Sequence, residues 1–248
     1  MVIEHLDIPG LDKACDYISN IERDGFALFE KVLDDGTVNQ LLTVLRNLNS
    51  DVAFNQRAGK AFGIRNLLNV LPLTRMLANS APLRALVEPV FGCEARVVRG
   101  IYFDKHRDAN RKVAWHQDLT IAVRERVELE GYGVWSVKAG IQHVQPPIAV
   151  LEKMVTLRLH LDDTNESNGA LRVIPGSHKH GRLDVEEIQS WKEHQWTVPC
   201  PVNRGGAMLM RPLLLHSSSA ATNSKHRRVL HFEYSSANLP CGMNWYDA

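Results

Sequence analysis

The first third of the chain carries apolar residues at the spacing of a helix. Leucine recurs at positions 41, 42, 45 and 48, which places an apolar stripe along one side of a helix. The pattern predicts helices over residues 11–24 and 34–48, with a short strand in the segment GFALFE between them. A third helix is predicted from Pro82 to Phe91, where Gly92 ends it.

From residue 95 onward the pattern changes to short runs that are typical of strands. These runs are ARVVRGIYF, VAWHQDLTIAV, VTLRLHL, LRVIP, GAMLM and RVLHFEYS, and turn signals such as SNG and PGS separate them. Successive short strands without helices between them favour an antiparallel sandwich or barrel over a parallel α/β sheet. The sequence predicts a mainly β protein with flanking helices (α+β), with a helix-rich part over residues 1–94 and a β core over residues 95–240.

Length, charge and cysteine content narrow the class of protein. The 248 residues contain no Pro/Gly/Ser-rich linker, so we expect one domain over residues 1–248. The 29 basic and 28 acidic residues offer no general attraction to nucleic acid or to an anionic membrane. Four scattered cysteines without a C-x-x-C pair indicate neither disulfides nor a thiolate zinc site. Without a signal-peptide pattern or a long apolar run, we expect a cytoplasmic protein.

A histidine and an aspartate separated by one residue occur in four places. The pairs are His5 and Asp7, His106 and Asp108, His116 and Asp118, and His160 and Asp162. Two residues separated by one on a strand point to the same face, so such a pair can offer an imidazole and a carboxylate to one metal ion. The first pair lies in a terminal tail and the second in a polar run, so the pairs in WHQD and VTLRLHLDD compete for this role.

A metal site needs a third ligand from elsewhere in the chain. His216 stands at the end of GAMLMRPLLLH, and Arg227 follows at the head of the strand RRVLHFEYS. With WHQD at 115–118, LDDTNESNGALRVIPGSHKHG at 161–181 and LLHSSSAATNSKHRR at 214–228, the sequence resembles the phytanoyl-CoA dioxygenase family of Fe(II)/2-oxoglutarate oxygenases. The segment DGFALFEKVLDDGTVNQLL resembles the start of that family. The resemblance implies a double-stranded β-helix, a cupin-like jelly roll, with the N-terminal helices packed on its larger sheet.

By this resemblance His116, Asp118 and His216 are the catalytic residues and the ligands of Fe(II). Two imidazoles and one carboxylate on one side of an iron leave the other side open for 2-oxoglutarate and O2. The family oxidises 2-oxoglutarate to succinate and CO2 and hydroxylates an unactivated C–H bond of a small molecule. Related halogenases have Gly or Ala in place of the carboxylate, so Asp118 favours hydroxylation.

The resemblance also implies how 2-oxoglutarate is held. Its far carboxylate needs a planar, always charged donor pair, which an arginine supplies better than a lysine. Arg227 and Arg228 are neighbours on a strand, so only one of them can face the pocket. The family spacing selects Arg227, with Ser218 beside it. Two further strand residues are assigned to the same pocket, namely Lys105 and Thr156.

The strand VTLRLHLDD predicts one more cation near the metal. Its odd-numbered residues from Val155 to Leu161 are apolar, whereas Thr156, Arg158 and His160 form a polar face. Helices cover the outer face of the larger sheet in this family, so the polar face is expected to point into the barrel. A buried arginine needs a partner, so Arg158 either pairs with an acid or binds an anionic group of 2-oxoglutarate or substrate. The alternative is a strand of the smaller sheet with Arg158 in solvent.

Two other functions are compatible with the pattern. A cupin-like isomerase or a zinc hydrolase would share the metal ligands but would not need Arg227. A binding module would keep the fold without catalysis, although the presence of all three metal ligands argues against it.

The expected partner is a small molecule, which is anionic if Arg158 is free to bind it. The protein is expected to be a monomer or a homodimer. In GIRNLL, Arg65 and Asn66 contact substrate or cap a helix.

Overall fold

Seven helices lie in the part of the chain that the structure describes. The structure, a computed structural model, describes residues 14–48, 54–57, 60–223 and 225–248, so the His-x-Asp pair at residues 5–7 lies outside it. The helices are α1 (Ala14–Asp24), α2 (Asp35–Arg46), α3 (Leu67–Val70), α4 (Pro72–Ala78), α5 (Ala81–Val87), α6 (Ile148–Leu151) and α7 (Val185–His194). None of these helices is long and apolar enough to cross a membrane.

Capping residues set where two of the helices begin. Asp34 precedes α2 and accepts a hydrogen bond from the backbone N–H of Thr37 at 2.8 Å. Asp184 precedes α7 and forms a reciprocal capping box with Glu187. Helix α7 lies where the sequence pattern predicted only strands. None of its residues is fully buried, and only Ile188 and Trp191 pack, partly buried, against a small apolar cluster, so its apolar stripe is short and was missed in the sequence.

Fourteen strands form three antiparallel sheets within the described residues. They are β1 (Phe26–Phe29), β2 (Phe54–Arg57), β3 (Lys60–Ile64), β4 (Arg96–Lys105), β5 (Val113–His116), β6 (Ile121–Val123), β7 (Gly133–Lys138), β8 (Ile141–Gln145), β9 (Met154–His160), β10 (Leu171–Val173), β11 (Val198–Cys200), β12 (Ala207–Met210), β13 (His216–Ser218) and β14 (Arg227–Ser235). The larger sheet has the order β1-β12-β9-β14-β4-β3-β2, the smaller sheet β11-β10-β13-β5, and the third sheet β6-β8-β7. The predicted jelly roll with flanking helices is confirmed.

The outer face of the larger sheet packs against the helices. The odd-numbered residues from Val155 to Leu161 are 0% exposed, as are Leu230 and Phe232 of β14. They form one apolar cluster with residues of α1 to α5. Helix α3 approaches β4 so closely that a Cβ added to Gly100 would lie 2.6 Å from Cγ of Leu68. Burying each large apolar side chain contributes about 1.5–3 kcal/mol, so this face holds the helices on the sheet.

The run VAWHQDLTIAV is two strands rather than the single run of the sequence pattern. Strand β5 ends at His116, the chain loops through Asp118, and β6 begins at Ile121. The two strands belong to different sheets, so the residues between them must leave the ladder. The backbone N–H of Asp118 donates instead to the carbonyl of Pro212 at 2.9 Å. The prediction that His116 and Asp118 share one face of a strand is therefore wrong, and the loop brings them together.

The third predicted helix is shorter than expected. Helix α5 ends at Val87, and residues Glu88–Val90 form a 3-10 turn. Pro89 has no backbone N–H with which to continue the helical hydrogen bonds.

The hairpin of β7 and β8 was not predicted from the sequence. Its first strand exposes two of its apolar residues, Val134 and Val137, so it does not show the alternation of a half-buried strand.

Candidate metal and cosubstrate site

Two strands and a loop bring the predicted metal ligands together. His116 ends β5, His216 begins β13, and the pairing of these strands makes the two residues direct neighbours. Their imidazole centroids lie 4.2 Å apart. Nε2 of each histidine lies 3.8 Å from a carboxylate oxygen of Asp118. One ligand atom from each residue lies within 4.8 Å of the others, which is close enough for a single ion to contact all three.

Backbone carbonyls determine which histidine nitrogens can bind a metal. Nδ1 of His116 lies 2.8 Å from the carbonyl oxygen of Ala114. Nδ1 of His216 lies 2.9 Å from the carbonyl oxygen of Leu214. Because a carbonyl oxygen only accepts hydrogen bonds, Nδ1 of each ring carries the proton. The lone pair of each Nε2 is therefore free and directed toward Asp118.

The charges of these groups also fit a divalent metal. Burial acts to raise the pKa of Asp118, but the neighbouring histidines, His216 foremost, lower it to about 2. Burial lowers the pKa of His216 to about 4. At neutral pH both residues are in their metal-binding forms, and two imidazoles with one carboxylate suit non-haem iron. In the part of the chain that the structure describes, no other group of three His, Cys, Asp or Glu side chains converges in this way.

The competing His-x-Asp pairs form no comparable group among the described residues. Nδ1 of His160 is hydrogen-bonded to a threonine hydroxyl inside the barrel at 2.7 Å. Asp162 instead binds Arg228 through both carboxylate oxygens, at 2.8 and 2.6 Å. His106 stacks on His226, with 5.1 Å between ring centroids. These histidines therefore have other partners.

Two buried cations lie at one end of the barrel. Arg227 at the start of β14 faces Lys105 at the end of β4, and the two residues are 6% and 5% exposed. Nη1 of Arg227 donates to the carbonyl of Gly169 at 2.8 Å, whereas its buried Nε has no hydrogen-bond partner. Nζ of Lys105 donates to Oγ of Ser218 at 2.8 Å and to the carbonyl of Ser219 at 2.6 Å. The structure thus brings Arg227, Lys105 and Ser218 together.

The charge of this cation pair is not neutralised by a neighbouring acid. Within the described residues neither cation forms an ion pair with a carboxylate, and the nearby Asp104 pairs with His226. Burial lowers the pKa of Lys105 to about 8, and the charge of Arg227 acts in the same direction. Burial likewise lowers the pKa of Arg227, but a guanidinium keeps its positive charge throughout the ordinary pH range. Two like charges in a site of low dielectric are unfavourable, so this end of the barrel is suited to bind an anion.

A cavity of about 380 Å³ extends from the cation pair to His116, one of the three metal ligands. Its charged and aromatic lining residues are Phe103, Asp104, Lys105, Arg111, Lys112, His116 and Arg227. The turn that supplies the carbonyl to Arg227 needs a glycine, because Gly169 has φ +81° and an added Cβ would lie 2.7 Å from the carbonyl oxygen of Ser219. Arg228 does not line this cavity and binds Asp162 instead.

Arg158 lies inside the barrel, on the polar face of β9. It is 6% exposed, its Nη1 lies 2.8 Å from Nδ1 of His231, and its guanidinium lies 5.8 Å from the ring centroid of Phe103. An arginine only donates, so Nδ1 of His231 accepts and Nε2 carries the proton, 3.4 Å from Oε1 of Glu233. Among the described residues Arg158 contacts no carboxylate directly, and its Nε has no hydrogen-bond partner.

Thr156 is not close to the cation pair. It faces Glu233 in the ladder between β9 and β14, and Glu233 lies six positions beyond Arg227 on β14. At about 3.3 Å per strand residue this is a separation of roughly 20 Å. The structure therefore places Thr156 at the opposite end of the barrel from Arg227.

Several buried polar residues of the barrel were missed in the sequence. Arg99, His143, His231 and Glu233 are buried, and Lys138 is partly buried. The alternation in RRVLHFEYS could have revealed His231 and Glu233. Leu230 and Phe232 form an apolar face of this strand, so the residues that alternate with them must point to the opposite face. The remaining three lie on β4, β7 and β8, where the sequence carries no such regular alternation.

The sequence and the fold of this chain are similar to those of known proteins. A family model described as "Phytanoyl-CoA dioxygenase (PhyH)" matches residues 21–229. The chain belongs to the phytanoyl-CoA dioxygenase (PhyH) family. A relative in sequence is the ectoine dioxygenase of Bordetella parapertussis, which is 26% identical over 204 residues that cover 77% of this chain and 59% of that protein. The chain thus spans about 59% of the length of this curated PhyH relative.

Solved structures share the fold of this PhyH-family chain. AviO1 from Streptomyces viridochromogenes Tue57 superposes with a TM-score of 0.65 at 23% identity, covering 94% of this chain and 98% of that one. SnoN, described as a non-heme alpha ketoglutarate dependent epimerase from nogalamycin biosynthesis, superposes with a TM-score of 0.70 at 18% identity, covering 92% of this chain and 85% of that one. At these identities the likeness shows a shared fold.

Proposed function

We propose that this chain is an Fe(II)- and 2-oxoglutarate-dependent dioxygenase that hydroxylates an unactivated C–H bond of a small molecule. The observation that carries the proposal is the cavity that connects His116 with the paired cations Arg227 and Lys105. A metal site alone has many uses, but a metal beside an unneutralised cation pair suits a ligand that chelates the metal and carries a second negative charge. 2-Oxoglutarate is such a ligand.

The proposed roles follow from the contacts of each residue. Nε2 of His116, Nε2 of His216 and the carboxylate of Asp118 hold Fe(II), which when bound supplies the activation of O2. The far carboxylate of 2-oxoglutarate binds Arg227, whose Nε has no hydrogen-bond partner, and Lys105 adds a second positive charge. In the overall reaction, one oxygen atom of O2 enters succinate and the other enters the hydroxyl group of the product. 2-Oxoglutarate loses CO2.

Two other functions predict different results. For a cupin-like isomerase or a zinc hydrolase, 2-oxoglutarate is not part of the reaction, and Arg227 and Lys105 have no anion of this kind to anchor. We would then expect no binding of 2-oxoglutarate. An inactive binding module could bind 2-oxoglutarate but would not consume it. The name of SnoN describes a 2-oxoglutarate-dependent epimerase on this fold, so the product must be analysed as well as the consumption of 2-oxoglutarate.

Binding and turnover of 2-oxoglutarate test the proposal directly. We expect 2-oxoglutarate to bind the metal-loaded protein more tightly than the metal-free protein, as measured by calorimetry. Metabolite extracts should stimulate succinate formation only when both Fe(II) and O2 are supplied, and the stimulated product should carry one added oxygen by mass spectrometry. Binding of 2-oxoglutarate that does not depend on the metal would contradict the proposal. Stimulated succinate formation without oxygen in the product would exclude the hydroxylation step alone.

A further inference from the structure

A second group of cations lies at the end of the barrel opposite Arg227. Arg99 on β4 is the direct partner of Glu233 on β14, and Nη1 of Arg99 donates to Oε1 of Glu233 at 3.0 Å. Arg65 directly follows β3, and Lys138 ends β7. The charged neighbours of Arg65 are Arg99 and Glu233, and those of Lys138 include Arg99, Arg65 and Glu233. Three separate segments thus place three cations around one carboxylate.

Glu233 does not balance this positive charge. Its carboxylate is already shared between Arg99 at 3.0 Å and His231 at 3.4 Å. Neither Arg65 nor Lys138 forms an ion pair within the described residues, and burial lowers the pKa of both. The positive neighbours lower these pKa values further, whereas Glu233 raises the pKa of both residues and Asp118, which is also a metal ligand, raises that of Lys138. Arg99 is only 6% exposed, and its Nε has no hydrogen-bond partner, so one buried donor of the group is left without an acceptor.

A neutral histidine beside this group adds a hydrogen-bond acceptor but no negative charge. His143 on β8 is 0% exposed, and its Nδ1 lies 2.9 Å from the carbonyl oxygen of Ile141. Nδ1 therefore carries the proton, and the buried Nε2 has no partner. Burial lowers the pKa of His143 to about 4, and Arg99 acts in the same direction. The imidazole is uncharged at neutral pH, so the excess of cations is unchanged.

This second group lies beside the metal ligands but away from Arg227. Nζ of Lys138 lies 3.5 Å from Oγ1 of Thr120, which is two residues beyond Asp118 in the same loop. Glu233 lies six positions, or roughly 20 Å, along β14 from Arg227. 2-Oxoglutarate is a five-carbon dicarboxylate, so with one end on the metal and the other on Arg227 it cannot also reach this group. The second group therefore needs an anion of its own.

We propose that Arg65, Arg99 and Lys138 bind an anionic group, a carboxylate or a phosphate, of the prime substrate. The inference rests on the proposed function, because it takes the Arg227 end of the barrel to be filled by 2-oxoglutarate. Charge-assisted hydrogen bonds are the strong ones in a site with little water, and the unpartnered Nε of Arg99 provides a buried donor for one. The metal then lies between two anions, one at each end of the barrel.

Binding of simple anions to the complete site tests the inference. The full chain is loaded with Zn(II), saturated with 2-oxoglutarate so that the Arg227 end is filled, and titrated by calorimetry with benzoate, phenyl phosphate and the neutral benzamide. We expect at least one of the two anions to bind about tenfold or more tightly than benzamide. We expect Lys138→Met and Arg65→Met each to weaken that binding about tenfold. The exposed Lys192 on α7 supplies the matched control Lys192→Met, which should bind like the wild type.

The outcomes separate this inference from the proposed function. Equal binding of benzamide and the anions, no binding of any probe, or unchanged anion binding in both variants would overturn the inference. Preference for benzoate or for phenyl phosphate would identify the class of anion. 2-Oxoglutarate binding is measured separately in each variant and should equal that of the wild type. If the wild type itself failed to bind 2-oxoglutarate, the proposed function would fail, whatever the result with the anions.

Discussion

The two faces of strands β9 and β14 are almost equally buried but differ in chemistry. On the outer face Leu157, Leu230 and Phe232 are 0% exposed and pack beneath the helices. On the inner face Arg158 and His231 are 6% and 4% exposed. Apolar side chains gain free energy on leaving water, whereas buried cations lose it unless they find partners. The outer face therefore stabilises the fold, and the inner face gives up stability to keep a charged interior.

Unpartnered polar atoms distinguish the inner face further. The Nε atoms of Arg99, Arg158 and Arg227 and the Nε2 atoms of His143 and His160 are buried without a hydrogen-bond partner. Folded proteins pair the large majority of their buried polar atoms, so these five atoms among the described residues of the barrel suit an interior that ligands complete. The following experiments test this difference between the faces, starting with the largest expected effect.

Loss of a metal ligand should have the largest effect on the inner face. We expect His216→Ala to abolish Fe(II) binding and 2-oxoglutarate turnover, because it removes one of three ligand atoms from a site with no spare ligand. Metal content after loading and dialysis measures the binding. His194→Ala, at an exposed position on α7, is the control and should retain the metal. Full metal content in His216→Ala would show that the iron lies elsewhere.

Loss of an apolar side chain should have the largest effect on the outer face. Phe232→Ala should lower the free energy of unfolding by about 3–5 kcal/mol, because it leaves a cavity between the sheet and the helices. Urea denaturation measures this change. Leu28, which is 41% exposed on β1, provides the control, and Leu28→Ala should cost less than about 1 kcal/mol. If both variants had the same stability, the outer face would not be the main source of stability.

Neighbouring arginines on β14 allow the two faces to be compared directly. Arg227→Met should weaken 2-oxoglutarate binding roughly tenfold to a thousandfold and leave metal binding unchanged, because it removes the anchoring charge. Arg228→Met should leave 2-oxoglutarate binding unchanged but lower the free energy of unfolding by about 1–3 kcal/mol, since it removes the bidentate contact with Asp162. Calorimetry and urea denaturation of both variants measure these effects. The opposite ranking would mean that the residues face the other way.

The smallest expected effect is a pH dependence that comes from Lys105. Its pKa is lowered to about 8 by burial and by Arg227, so the side chain is charged below this pH and loses its charge as the pH rises through it. Binding of 2-oxoglutarate should therefore weaken by up to about tenfold between about pH 7 and about pH 9.5. Lys105→Met should bind 2-oxoglutarate more weakly at pH 7 and lose this pH dependence. A pH dependence that persisted in Lys105→Met would assign it to another group.

Regular alternation let the sequence predict which face each residue of β9 would occupy. In VTLRLHLDD every second residue is apolar, and successive strand residues must point to opposite faces, so Arg158 was predicted to lie opposite the apolar face. The family resemblance then favoured an inward position over a solvent-exposed strand of the smaller sheet. The same rule allowed only one of Arg227 and Arg228 to face the pocket. The jelly-roll fold and the three candidate metal ligands came from the resemblance of short, local motifs, such as WHQD and the segment that begins LLHSSS, to a known family.

The sequence, through its resemblance to a known family, therefore predicted the fold class and the candidate metal ligands, and regular alternation predicted which residues of a strand share a face. Only the tertiary structure showed how Asp118 comes close to the two histidines. The backbone N–H of Asp118 donates to the carbonyl of Pro212, which lies 94 positions away in the sequence, and this hydrogen bond fixes the loop. The tertiary structure also decided that Arg65, Arg99 and Lys138 meet around Glu233. Local alternation specifies the direction of a side chain, but the proximity of distant segments depends on which strands pair. That pairing is decided by the packing of the whole barrel and its helices.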